Sequence, residues 1–182
     1  MRHCGTQRLE TERLVLRRFI AEDSAAMYRN WASDEEVTKY LTWPAHSNPE
    51  LSRRILEDWV NSYSNESYYQ WAIELKELGE PVGSISVVHM NEDVSMAQIG
   101  YCIGKRWWHM GITSEALRAV MDFLFDVVDV NRIEAVHDPR NPNSSKVMEK
   151  CGMKYEGTLR SFGRNNQGIC DIRYCALLKS ER

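Results

Sequence analysis

The sequence predicts a mixed α+β fold, a central and mostly antiparallel sheet flanked by about four helices. Apolar residues recur every second position in some short runs and every third or fourth in others, the periods of a half-buried strand and of an amphipathic helix. The runs follow in the order β-α-α-β-β-β-α-β-α-β-β, and the three consecutive strands read as an antiparallel meander. In the fourth strand the alternation slips by one residue, so a bulge is expected there.

TERLVLRRF alternates Leu14 and Leu16 with polar neighbours and is the first strand; EDSAAMYRNW after it reads as a helix begun by Asp23 or Ser24. NPELSRRILEDWV has a cap in Asn48, a proline suited to the first helical position, and an apolar face of Leu51, Ile55, Leu56, Trp59 and Val60. The polar loop NSYSNES leads into YQWAIELK, PVGSISVV and VSMAQIGYCIG, with turns at Gly79 and at Asn91 to Asp93. In the last of these, Val94 and Met96 share one phase and Ile99, Tyr101 and Ile103 the other, which puts the slip near Ala97 and Gln98; a misplaced strand start gives the same pattern.

A helix from about Thr113 to Val127 follows, with Ala116, Val120, Phe123, Leu124 and Val127 on one side, then the strand RIEAVH. SSKVMEKCG is a short helix closed by a left-handed Gly152. MKYEGTLR and DIRYCALLK are the last strands, the second alternating Ile172, Tyr174, Ala176 and Leu178.

The 182 residues, 43% hydrophobic and 27% charged, suit a single domain over residues 1–182 whose core needs neither disulfide nor metal. A net charge of -3 without any basic block argues against a nucleic-acid partner. The five cysteines are scattered and never form a C-x-x-C pair, as expected of reduced thiols. There is no run of eighteen apolar residues, and MRHCGTQRLE lacks the apolar centre of a signal peptide, so a cytoplasmic protein without a membrane association is expected.

The stretch KRWWHMGITSEAL runs from a strand through Gly111 directly into a helix. Such a junction presents unpaired backbone N–H groups and the positive end of the helix dipole at one spot, and a glycine lets the backbone approach an anion closely. The spacing is neither that of a P-loop nor that of a dinucleotide-binding G-x-G-x-x-G.

WHMGITSEAL resembles the acetyl-CoA pyrophosphate loop of the GNAT acetyltransferases, Q/R-x-x-G-x-G/A, in the form found in the RimJ/RimL-like branch. Gly111 is its central glycine and Trp108 takes its first position, while His109 replaces a frequent glycine and Thr113 the final Gly/Ala. LETERLVLRRF and NPNSSKVMEKCGMKYEG resemble two further segments of the same branch, so the likeness spans about residues 8 to 179.

The resemblance implies the GNAT fold, its bulged strand splayed from the next to admit pantetheine, and direct transfer of an acetyl group from acetyl-CoA to an amine without metal. It implies a CoA site at Ile103, Trp108, His109, Met110, Gly111, Ile112, Thr113, Ser114, Asn141 and Ser144. A strand N–H between about Ile99 and Ile103 would meet the thioester oxygen, and Ser144 would supply the leaving thiolate with a proton, because Met148 stands where many members carry a tyrosine. A helix cap is the other reading of Ser144.

The base is open, since Gln98 replaces a common glutamate and cannot take up a proton; His137 beside Asp138, and Asp171, are the remaining candidates. Glu115 is assigned to the helix start. The resemblance further implies an amine acceptor, either a protein N-terminus or a small amine; antibiotic- or polyamine-modifying acetyltransferases and a CoA-binding sensor without turnover share the same donor motifs. Homodimers are common in the branch. Trp43, Tyr63, Tyr68 and Tyr69 fall in loops that flank the acceptor cleft in this family, and Asp34, Glu35 and Glu36 form an acidic loop.

Overall fold

The computed structural model describes residues 1–182. Its strands are β1 (Leu9–Glu10), β2 (Leu14–Arg17), β3 (Gln70–Leu75), β4 (Glu80–Asn91), β5 (Met96–Ile103), β6 (Arg132–His137), β7 (Lys154–Asn165) and β8 (Gly168–Leu178). The helices are α1 (Ser24–Met27), α2 (Glu35–Thr38), α3 (Pro49–Ser62), α4 (Ile112–Phe123) and α5 (Pro142–Lys150). One eight-stranded sheet runs β1-β2-β3-β4-β5-β6-β8-β7, antiparallel everywhere except between β5 and β6.

Alternation along the strands sorts side chains into two layers. Leu16, Ile73, Ile85 and Ile99 meet α4 and α5 in a core of 28 buried residues, whereas Ala72 meets Phe19, Met27, Trp31 and Leu56 of the α1/α3 layer in a cluster of 6. The main core therefore lies beneath α4, the helix that opens at Gly111.

Several elements depart from the sequence expectation, each for a local reason. The first strand is broken by a turn at residues 11–13, so β1 folds back on β2. Asp23 stands at the N-cap of α1, as expected, but its carboxylate makes no cap bond to that helix: Arg17 grips it through two bonds of 2.7 and 2.9 Å. The acidic loop contains α2, capped by Asp34, which accepts the Glu36 N–H at 2.8 Å, and Glu36 itself pairs with Lys105. After Phe123 the α4 chain widens into a π-helical turn, Leu124–Val128, whose extra residue rotates the apolar face so that Val128 is buried and Val127 exposed. β7 and β8 run on into a long hairpin, and Cys175 and Leu177 are the β8 residues that join the main core. α5 starts at Pro142, two residues before the expected Ser144, but its expected C-terminal end holds: Gly152 is left-handed at φ +81°, and the Met153 N–H returns to the Met148 carbonyl at 3.1 Å.

The irregularity expected at Gln98 is present but belongs to the partner strand. Val87 pairs with Ile99 and His89 with Gln98, so the extra residue is Val88 of β4. β5 itself alternates without a slip from Met96 onward; Val94 lies in a 3₁₀ turn before it.

Candidate active site

β5 and β6 pair only at Met96–Arg132, Ala97–Ile133 and Gln98–Glu134. Beyond Gln98, β5 stays with β4 and β6 with β8, so the sheet forks. The Gly104 N–H bonds to the Val82 carbonyl at 2.9 Å, which fixes the phase of the antiparallel ladder. By alternation the N–H groups of Ile99, Tyr101 and Ile103 turn away from β4; the last β5–β6 pairing, Gln98–Glu134, takes that of Ile99, and those of Tyr101 and Ile103 open into the fork.

From Gly104 the chain crosses to α4 through a short loop. His109 (φ +63°) and Gly111 (φ +77°) are both left-handed, and this alternation of hand folds the backbone into a concavity of N–H groups. The first intrahelical bond of α4 comes from the Glu115 N–H to the Gly111 carbonyl at 3.1 Å; the N–H groups of Ile112, Thr113 and Ser114 have no acceptor within the protein. All three residues are buried and line one cleft, where unpaired donors at a helix N-terminus suit an anion.

The loop is braced from behind by Arg13. Its Nη1 donates to the Met110 carbonyl at 2.9 Å and its Nε to Glu115 Oε2 at 2.7 Å, while Glu115 Oε1 accepts from the Thr11 hydroxyl at 2.6 Å. Glu115 thus ties the β1–β2 turn to the loop instead of serving its own helix start. Burial raises its carboxyl pKa, but these donors win and hold it below the usual value.

Across the fork stands α5. Ser144 is the third residue of that helix, so the capping reading of Ser144 fails; Asn141 holds the cap position but makes no side-chain cap bond. Ser144 Oγ lies 3.1 Å from Tyr101 Oη, and the phenol is also 3.2 Å from the Ser144 carbonyl. Burial pushes the Tyr101 phenol well above its ordinary pKa. Met148 is 1% exposed and packs in the main core. Tyr101 escaped the sequence reading because its alternation with Ile99 and Ile103 marks it only as a core residue.

A cleft of about 490 Å³ joins these parts. It is lined by Ile103, Trp108, His109, Gly111, Ile112, Thr113, Ser114, Asn141 and Ser144; Met110 is outside it, 54% exposed and turned to solvent. The Trp108 indole donates to the Ile103 carbonyl at 3.0 Å, pinning the loop to β5. Lys146 and Lys150, a helical turn apart on α5, also line the cleft and form no ion pair, a placement that their spacing could have signalled. Lys39, Tyr40 and Leu41 complete the wall, and the Asn166 side chain at the β7–β8 tip holds this segment by donating to the Thr38 and Trp43 carbonyls, each at 2.8 Å.

The base candidates do not reach the cleft. His137 is 6% exposed, not solvated; its Nδ1–H donates to the Asp138 carbonyl at 2.9 Å, its Nε2 is buried without a partner, and burial lowers its pKa. Asp138 is likewise buried, holding Arg140 and Asn165. Asp171 accepts the Ser161 N–H at 2.8 Å, a structural bond. Gln98 donates to Glu134, which Arg132 also grips. The one carboxylate in the cleft lining is Glu36, bonded to Lys105 at 2.7 Å. Of the loop aromatics none lines the cleft: Tyr69 is 1% exposed beside Trp71, Tyr63 bridges Phe19 and Gln70, Tyr68 meets the edge of Tyr63, and Trp43 packs on His46.

A forked sheet with a helix N-terminus opening beside the fork is the arrangement that the resemblance to the acetyltransferases implied. The acetyltransferase (GNAT) domain family model matches residues 13–154, and the chain belongs to that family. It is 32% identical over 174 residues to the N-acetyltransferase p20 of Bacillus licheniformis, covering 95% of this chain and 97% of that protein. The crystal structure of a GNAT-family acetyltransferase from Bacillus anthracis superposes with a TM-score of 0.83 at 27% identity, covering 96% of this chain and all of the other. The microcin C7 self-immunity acetyltransferase MccE, solved with acetyl-CoA and AMP, shares the fold at a TM-score of 0.84 and 20% identity, over 92% and 93% of the two chains. The protein is therefore an acetyl-CoA-dependent N-acetyltransferase, and none of its helices is long and apolar enough to cross a membrane.

Proposed function

We propose that the chain, as one domain of the RimJ/RimL-like branch, acetylates an α-amino group on a protein N-terminus or a small molecule by direct attack in a ternary complex. The observation that carries this reading is that the fork and the unpaired N–H groups of α4 open on the same cleft. Acetyl-CoA supplies the activated acyl carbon. In this reading the N–H groups of Ile112, Thr113 and Ser114 hold the pyrophosphate, the loop from Trp108 to Gly111 shapes that cradle, and Lys146 and Lys150 add charge. Ile103 and Asn141 border the pantetheine, the inward N–H of Tyr101, the first one left free beyond the β5–β6 pairing, stabilises the thioester oxygen as it turns negative, and Ser144 protonates the departing sulfur.

The choice of acceptor rests on what the cleft lacks. Glu36 is engaged by Lys105, and Gln98 cannot accept a proton, so the amine must deprotonate with little help. An α-amino group, with a pKa of about 8, meets that condition; a lysine at about 10.4 does not. The test is release of free CoA against α-amino peptides, ribosomal-protein N-termini, polyamines and aminoglycosides. Turnover confined to α-amino acceptors is expected. Turnover confined to polyamines or aminoglycosides would overturn the assignment and make this a small-molecule-modifying enzyme.

A further inference from the structure

We propose that Tyr101 is the positioning residue of the acid: its phenol donates to Ser144 Oγ and so leaves the serine proton free for the departing sulfur. This rests on the reading of Ser144 given above. The geometry points to a pair and not to a lone serine. Serine in a first helical turn commonly returns its proton to a nearby helix carbonyl, which would leave nothing to give. Ser144 makes no such bond; the partner of its hydroxyl is Tyr101 Oη at 3.1 Å. The phenol has two candidate acceptors, Ser144 Oγ and the Ser144 carbonyl at 3.2 Å. When it donates to Oγ, the serine proton points elsewhere, and the elsewhere is the cleft that both residues line. When it donates to the carbonyl, the serine proton turns back onto the phenol oxygen, and the pair is closed to a ligand.

Tyr101 also stands where such a role is needed. It is the second inward residue of β5 beyond Gln98, in the unpaired half of the strand, so its backbone N–H and its phenol border the same space. On α5 the next turn offers Met148, which has no proton to donate. Burial keeps Tyr101 protonated across any working pH, so it is always available as a donor.

The step balances as follows. The amine nitrogen bonds to the acyl carbon and the C–S bond breaks, the sulfur leaving with the electron pair. Sulfur takes the Ser144 proton, the Ser144 oxygen takes that of Tyr101, and the phenol is restored by the proton that the new amide nitrogen sheds, carried by water in the open cleft. Neither residue is consumed.

Tyr101→Phe, Ser144→Ala and the double variant test this, with kcat, KM for acetyl-CoA and the solvent deuterium isotope effect on kcat measured for each. Tyr101→Phe keeps the ring and the packing. It is expected to lower kcat about tenfold with KM changed less than about twofold, to shrink the isotope effect, and to add nothing to Ser144→Ala in the double variant. Multiplicative losses in the double variant, or a rise in KM at unchanged kcat and isotope effect, would overturn the pairing and reduce Tyr101 to a wall of the cleft. Full activity in Ser144→Ala would instead remove the acid assignment itself, whatever Tyr101→Phe does.

Discussion

Gly111→Ala separates the conformation of the loop from everything else that a mutation there can disturb. Gly111 sits at φ +77°, and a methyl built on it meets nothing nearer than Arg13 Nη2 at 3.6 Å, an ordinary contact. The substitution therefore carries no clash, only the cost of holding an L-residue left-handed, about 1–2 kcal/mol. Gly79, at φ +69° with nothing within 4 Å, carries the same cost in a remote turn between β3 and β4 and is the matched control. In Gly79→Ala the strain falls on stability, partly offset by the stiffer unfolded chain, and a drop in Tm of about 2–4 °C is expected for a chain of this length.

At Gly111 the outcome differs because the loop is held beside the glycine, by Trp108 on the Ile103 carbonyl and Arg13 on the Met110 carbonyl, and not at the N–H groups it presents. The Ile112, Thr113 and Ser114 N–H groups are unpaired, and Arg13 at the Met110 carbonyl is the main brace. The alanine loop relaxes in the free protein and has to be strained again on binding, so the 1–2 kcal/mol moves into affinity, about 5- to 30-fold. The assay is calorimetric titration of acetyl-CoA, with Tm measured alongside. Gly79→Ala should bind as the wild type does; Gly111→Ala should bind about 5- to 30-fold more weakly; Gly111→Asn should recover part of the loss, because asparagine tolerates the left-handed region. Wild-type affinity in Gly111→Ala together with the Tm loss of Gly79→Ala would refute the cradle.

Three further outcomes follow from the same geometry. Arg13→Ala removes the brace at the Met110 carbonyl and the bond to Glu115, so KM for acetyl-CoA should rise about fivefold, for about 1 kcal/mol of partly exposed charge-assisted bonding, with kcat nearly unchanged. Since the cleft holds no free base, the pH profile of kcat/KM should follow the acceptor amine, and acceptors of lower amine pKa should shift its rising limb down by the same amount; an identical limb for every acceptor would point to an enzyme base instead. Asp138 is held at about 2, chiefly by the Arg140 guanidinium, against about 3.9 in an unfolded chain. Its contribution to stability is therefore present above about pH 4 and lost as the pH falls towards 2, and Asp138→Asn should flatten acid unfolding over that window while reducing Tm at pH 7.

What the sequence made legible was whatever is encoded by local period or by a residue's backbone chemistry. The alternation of β3, β4 and β5, the capped face of α3, Gly152 at the end of α5 and Gly111 before α4 are statements about neighbouring residues, and the structure has each of them. The errors arise where a partner distant in the chain decides. Glu115 looks like a helix-start charge until Arg13 and Thr11 take it, some hundred residues away in the chain. The fork is the extreme case. Whether a strand N–H is bonded or free depends on the register of the next strand over, and β5 reads the same on either side of Gln98, although only residues up to Gln98 find a partner on β6. The same limit hid Tyr101: alternation groups it with Ile99 and Ile103, a phenol and a leucine are alike to that pattern, and the difference appears only when Ser144 arrives from 43 residues downstream to share a hydrogen bond with it.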